Sequence, residues 1–219
     1  MHLVIISGAA RPMPKSNTAK IIAAFRKGFE EGGNTAEVWY LSDRRQWQSA
    51  REAFANNEQI LFALPLYVEN IPGIMLEFLE GLPPKAQPGT KIAFLIQGGF
   101  PEASQLRCCE SFVQTLPPYF NCEYAGALIK GDMFGVNLMG EKLGSKMVLP
   151  FEEMGRSFAK AGRFDDAEAA AFAGREYLPA STLRKFELIG RPMQKFFMGR
   201  IAKSLGCKKK LDDRPYALR

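Results

Sequence analysis

Histidine is nearly missing from this 219-residue chain: His2, at the start of an apolar run, is the only one. A Ser–His–Asp or Cys–His mechanism therefore has no base to draw on. Cysteine is sparse too. Cys108, Cys109, Cys122 and Cys207 show no C-x-x-C spacing, so no zinc or iron–sulfur cage is expected. The four read as reduced, mostly buried small hydrophobes, with adjacent Cys108 and Cys109 pointing to different sides of a helix. The longest nearly uncharged apolar run, Ile60 to Val68, is far short of the ~20 residues that span a bilayer. No cationic n-region precedes the first strand-like run, and we expect a cytoplasmic, soluble protein. Two nucleotide signatures are also absent. G-x-G-x-x-G does not occur, and after Gly8 the Lys15–Ser16 pair falls one position out of P-loop register, with Pro12 and Pro14 removing donors that a phosphate cradle needs.

What is present suffices for a folded core: 47% of residues are apolar. The net charge of +6 is unevenly placed. Residues 1–150 hold 14 Lys+Arg against 14 Asp+Glu, whereas 151–219 hold 15 against 9. Length and this asymmetry suggest one domain over 1–177 and a basic amphipathic helical extension over 178–219.

A strand, turn and helix recur along the first part. "HLVII" leads to a helix with an apolar face of Ile21, Ile22, Phe25 and Phe29, stopped by Gly32–Gly33. "AEVWYL" (36–41), "QILFAL" (59–64), "KIAFLI" (91–96) and "EYAGALI" (123–129) are four further strands. Helices are expected over 43–57, from Pro72, over 102–116, and later over 145–161 and 165–177. Strands unbroken in hydrophobicity, alternating with helices, indicate a parallel α/β sheet covered on both faces.

In such sheets ligands collect beyond the carboxyl ends of the strands. Three loops lie there: "SGAARPMPKSNT" (7–18), "PLYVENIPG" (65–73) and "QGGFPEA" (97–103). The first runs from a strand into a helix start, which offers free N–H groups and partial positive charge to a phosphate. Ser16, Asn17 and Thr18 can each cap that helix or bond a phosphate oxygen, and Arg11 can neutralise charge.

Taken together the three loops resemble those of flavodoxin-like NAD(P)H-dependent FMN reductases. The first is similar to their G-S-P-R and S/G-N-T pattern, although Ala9 stands where a serine is frequent. The second matches P-x-Y-N-x-S-I-P-G at Pro65, Tyr67, Ile71, Pro72 and Gly73, with Val68 and Asn70 departing from it. The resemblance spans roughly residues 2–130. It implies an α/β, flavodoxin-like, doubly wound five-stranded parallel sheet in the order 2-1-3-4-5, followed here by a C-terminal helical extension. It also implies FMN and NAD(P)H as cofactors, and a homo-oligomer reducing a small acceptor such as a quinone, nitro compound or flavin. On this resemblance the cofactor site would comprise Ser7, Arg11, Ser16, Asn17 and Thr18 for the phosphate. Pro65, Leu66, Tyr67, Val68, Gln97, Gly98, Gly99 and Phe100 would hold the ring, with Tyr67 or Phe100 stacked on it. Backbone donors at Val68–Glu69 or Gly98–Gly99 would face the flavin edge. No catalytic acid or base is assigned; Glu69, Glu102 and Tyr119 are noted only as neighbours. An electron carrier without NAD(P)H turnover, and a flavin-free scaffold, remain alternative readings.

The extension mixes Leu183, Phe186, Leu188, Ile189, Phe196, Phe197, Met198, Ile201 and Leu205 with many cations, and a break is expected at Gly190–Pro192. Packing on the core or on a second subunit is the preferred reading. A lid over the crevice and peripheral contact with an anionic membrane are the others, and nucleic acid is disfavoured because the aromatics are not set on a strand platform.

Overall fold

A computed structural model describes residues 1–67, 69–204, 206–209 and 212–214, with the side chains of 185–189, 191–195 and 204 excepted. The chain divides into two compact units, Met1–Tyr177 and Leu178–Arg219. In the first, five strands make one parallel sheet: β1 (His2–Ser7), β2 (Thr35–Tyr40), β3 (Gln59–Pro65), β4 (Lys91–Gln97) and β5 (Glu123–Lys130). Their order is β2-β1-β3-β4-β5, as expected.

Position in the sheet follows composition. The runs of β1, β3 and β4 are buried at almost every residue and lie in the middle, whereas β2, with Glu37 among its half-buried positions, forms an edge. The pleat sends Ile6, Phe62 and Phe94 to one face and Ile5, Ala63 and Ala93 to the other. On the first face the strands supply the bulk. Phe62, Phe94 and Tyr124 stack in a row, with centroids 5.8 and 6.4 Å apart, beneath α2 (Trp47–Asn56), α3 (Gly73–Glu80) and α4 (Ser104–Gln114). On the second face the strands present aliphatic side chains, Leu3, Ile5, Leu61, Leu95 and Leu128, with alanines between them, and the helices α1 (Asn17–Glu30) and α6 (Pro150–Ala161) bring in the rings of Phe25, Phe29, Phe151 and Phe158. Each fully buried phenylalanine contributes about 1.5–3 kcal/mol relative to exposure.

α1 and α6 approach through two glycines. A β-carbon on Gly155 would overlap the carbonyl oxygen of Phe25 and lie 2.9 Å from the Phe29 nitrogen, and one on Gly28 would overlap the carbonyl of Glu152. Backbone therefore packs directly on backbone.

At the far edge β5 carries a bulge. The register slips between Ile92 and Phe94, and Gly126, at φ 96°, occupies the irregular position. The Phe164 N–H donates to the Ala125 carbonyl at 2.9 Å, covering the outer side of that strand.

Helix boundaries depart from expectation in the second half. The helix expected over 145–161 is two, α5 (Gly140–Val148) and α6, because Pro150 lacks the N–H needed to continue one and is well placed to start the next. The helix expected over 165–177 is α7 (Asp166–Ala173), capped by the Asp165 carboxylate and ended at Gly174. In the second unit α8 (Ala180–Ser204) runs unbroken through Gly190 and Pro192. The proline deletes one intrahelical bond, and a helix of 25 residues retains the bonds on either side.

All four thiols are free. Cys109 is buried, and desolvation pushes its thiol up to about 12. Cys108 and Cys207 are exposed, contrary to the expectation of burial, Cys108 because its neighbour on α4 takes the inward position. Among the described residues no helix is long and apolar enough to cross a membrane, and no His/Cys/Asp/Glu group could hold a metal.

Candidate functional site

The carboxyl edge of the sheet begins with Ser7, the last residue of β1. Gly8 extends the ladder, its N–H donating to the Ala63 carbonyl at 2.8 Å, and Met75 leaves no room for a side chain there. A 3₁₀ turn at Met13–Lys15 then delivers the chain to α1. Ser16 is the N-cap: its Oγ accepts from the Ala19 N–H at 3.3 Å. Among the described residues the Asn17 and Thr18 N–H groups have no backbone acceptor, as the first turn of a helix requires. Thr18 is buried, and the Gln97 amide at the end of β4 donates to its Oγ1 at 3.4 Å.

Burying polar side chains is costly without partners, so where they gather is informative. Five are buried among the described residues, and four of them, Ser7, Ser16, Thr18 and Gln97, stand at this edge; the fifth is Thr90. The Ser7 hydroxyl is buried with no hydrogen-bond partner. Arg11 is exposed on the same loop.

The side chain of Asn17 is occupied within the protein. Its Nδ2 donates to the carbonyls of Met133 (2.8 Å) and Phe134 (3.3 Å), and its Oδ1 accepts from Asn137 Nδ2 at 2.5 Å. Asn137 also donates to the Lys15 carbonyl at 3.1 Å. The segment that follows β5 is thus knotted to the first loop. Sequence reasoning passed over it, although "GDMFGVN" (131–137) carries the Gly, Asp and Asn of a structured turn at the same edge.

That segment grips the third loop as well. The Gly98 N–H donates to the Lys130 carbonyl and the Gly98 carbonyl accepts from Met133, both at 2.9 Å, while the Phe100 carbonyl accepts from Asp132 at 2.8 Å. Gly98 is therefore consumed as a strand extension and is not a donor to a ligand edge. Among the described residues the N–H groups of Gly99 and Phe100 remain without an acceptor. Gly131 is bare because the Phe100 carbonyl fills the place of its β-carbon. Phe100 is 70% exposed and Phe134 49%.

The second loop joins through Leu66, whose N–H donates to the Gln97 carbonyl at 2.7 Å, next to Pro65 at the end of β3. Tyr67 and Asn70 exchange both backbone bonds, at 3.1 and 3.3 Å, and Glu69 takes the left-handed conformation at φ 65°. Tyr67 is 46% exposed. Val68 lies outside the described residues. Glu69 is exposed on this loop, and Glu102 is half-buried just before α4. Tyr119, by contrast, sits in the 3₁₀ turn Pro117–Phe120 that leads into β5, at the opposite, amino-terminal edge, and has no part in this site.

Other positive features near this edge are already satisfied. Ala103 and Ser104, at the start of α4, donate to the carbonyls of Arg175 and Glu176, so that helix end is sealed. Lys130 donates to the Phe172 carbonyl at 2.6 Å, and burial pulls its ammonium down. A groove of about 540 Å³ runs from Pro12 and Met13 to Ser42–Gln46. Its arginines are paired, Arg44 with Glu77 at 2.5 Å and Arg45 with Asp43 at 2.9 Å. The start of α1 is open, and so is that of α3, where among the described residues the Gly73 and Ile74 N–H groups have no backbone acceptor; the buried polar side chains gather at α1.

No family model matches the sequence, and no curated protein matches it either. Solved structures do match the fold. An NAD(P)H:quinone oxidoreductase from Methanothermobacter marburgensis is 17% identical, with a TM-score of 0.57 over 72% of this chain and 96% of that one. An apo NADH:FMN oxidoreductase is 16% identical, with a TM-score of 0.55 over 83% and 98%. An FMN-dependent NADH-azoreductase from Bacillus anthracis str. Ames Ancestor, in complex with FMN, is 11% identical, with a TM-score of 0.54 over 73% and 100%. The strand order, the helices on both faces and these three likenesses agree that the chain has the flavodoxin-like fold.

Proposed function

We propose that this chain is an FMN-dependent NAD(P)H oxidoreductase that reduces a small acceptor such as a quinone, a nitro compound or a flavin. The observation that carries the reading is the gathering of buried hydroxyls and an amide around the open start of α1 at the carboxyl edge of the sheet. Such a constellation suits a phosphate monoester: the N–H groups of Asn17 and Thr18 meet its oxygens, the Ser16 and Ser7 hydroxyls add donors, and Arg11 supplies charge from the rim. Ser7, whose hydroxyl otherwise has no partner, gains one. In this reading Asn17 contributes its backbone, and its side chain holds the loop in shape.

The ring would lie between Pro65–Val68 and Gln97–Phe100, with Tyr67 or Phe100 against its face and the Gly99 and Phe100 N–H groups toward its polar edge. Donors fixed there in advance favour the negatively charged reduced state. Bound FMN supplies the redox chemistry, taking hydride from the nicotinamide and passing electrons on. The protein then needs no nucleophile or histidine base. The neighbours named above, an azoreductase with FMN, a quinone reductase and an NADH:FMN oxidoreductase, support the same class. We place the flavin domain in residues 1–177, the protein in the cytoplasm, and the working form in a homo-oligomer.

The test is spectroscopic. Purified protein titrated with FMN is expected to bind it tightly by calorimetry and to bleach on NADPH or NADH addition under argon. Ser16→Ala is expected to weaken FMN about tenfold, which corresponds to roughly 1.4 kcal/mol. Protein that takes up no flavin sinks the proposal, and flavin that binds without being reduced leaves an electron carrier instead.

A further inference from the structure

The two units differ sharply in charge. Leu178–Arg219 holds 11 Lys+Arg against 3 Asp+Glu, while the remaining 177 residues hold 18 against 20. All the surplus positive charge of the protein is therefore concentrated in the arm. Three carboxylates cannot neutralise eleven cations. In the first unit arginines meet acids, Arg44 with Glu77, Arg107 with Glu176 and Arg156 with Glu31, and in the arm Lys209 lies 3.6 Å from Asp213.

Charge alone would suit any polyanion. The apolar side chains of the arm decide between them. Leu183 is 47% exposed on α8, and three consecutive residues, Phe196, Phe197 and Met198, are 66%, 43% and 42% exposed. The Arg200 guanidinium stands 5.6 Å from the Phe196 ring. Lys203 lies on the next turn, and Lys208, Lys209 and Lys210 follow the helix. Phenylalanine and methionine gain nothing from a sugar–phosphate backbone in water. At a bilayer interface they enter the boundary between headgroups and acyl chains while neighbouring cations stay with the lipid phosphates. A helix of 25 residues extends roughly 37 Å, enough to lie along such a surface, and α8 is not apolar enough to cross it. A lysine run beside it adds long-range attraction to anionic lipid.

We propose that Leu178–Arg219 is an interfacial arm that docks this protein on anionic phospholipid bilayers. Phe197 and Met198, on one face with Leu183, are the inserted residues; Phe196, on the side of Arg200 and Lys203, lies at the rim, and Arg200, Lys203 and Lys208–Lys210 are the headgroup contacts. This proposal stands apart from the flavin reading and does not require it.

Flotation of the full-length protein with vesicles tests it. The protein is expected to float with equal parts of phosphatidylglycerol and phosphatidylcholine, and to stay behind with phosphatidylcholine alone or in high salt. Phe196→Ser with Phe197→Ser is expected to reduce partitioning about tenfold or more, as is Lys208→Glu with Lys209→Glu and Lys210→Glu. Thermal melting of each variant confirms that Met1–Tyr177 is still folded. The proposal is overturned if wild type fails to float with anionic vesicles, if the double phenylalanine variant floats as wild type does, or if duplex DNA competes the protein off the vesicles.

Discussion

Asn17 opens a helix, and a sequence reader assigns its side chain either to a cap or to a ligand. It serves neither, because Ser16 is the cap and the Asn17 amide is spent on the carbonyls of Met133 and Phe134 and on Asn137. That use was invisible in the sequence, since its partners lie more than a hundred positions away. What the sequence did make legible is position: Ser16 and Thr18 stand at the start of the helix that follows β1, as the strand–loop–helix pattern predicts. Asn17→Ala is expected to cost about 1–3 kcal/mol in urea unfolding, because two carbonyls and one amide lose partners at a partly buried point. Asn17→Asp should be no milder, since a carboxylate cannot donate to those carbonyls. A variant that loses FMN affinity yet keeps full stability would mean that the side chain turns to the ligand.

Among the elements, the five strands were readable because central parallel strands must be apolar at consecutive positions, and helix ends were less so. Pro150 splits what periodicity joined, and Pro192 fails to split what its chemistry suggested, so proline alone does not decide without its neighbours. The α1–α6 contact was not legible. Gly28 and Gly155 look like weak points in helical stretches, and only the fold reveals that each receives the other helix's backbone. Gly155→Ala is therefore expected to destabilise by about 2 kcal/mol or more through overpacking, lowering the melting temperature by several degrees. Gly190→Ala, on α8 with nothing within 4 Å of its β-carbon position, is expected to be neutral or mildly stabilising. Equal effects at the two glycines would contradict the close crossing.

For the molecule as a whole, acid is the informative solvent condition. Hydrogen bonds from Arg45 hold the Asp43 carboxyl at about 2, and Arg156, Arg44 and Arg107 hold Glu31, Glu77 and Glu176 below the ordinary carboxylate range. A carboxyl whose folded value is depressed adds stability above its unfolded value, near 4, and loses it as pH falls through the folded value. Melting temperature should therefore decline from about pH 4 downward, modestly because these pairs are exposed, and less so in Glu77→Gln. A flat profile to pH 3 would show the pairs to be idle.

The covered flank of β5 bears on how the protein behaves when crowded. With the Ala125 carbonyl already taken by Phe164 and the row of donors broken at left-handed Gly126, an incoming chain finds no continuous template there. Fibrillar stacking is closed at that end of the sheet, and concentrated solutions are spared one route to insoluble aggregates.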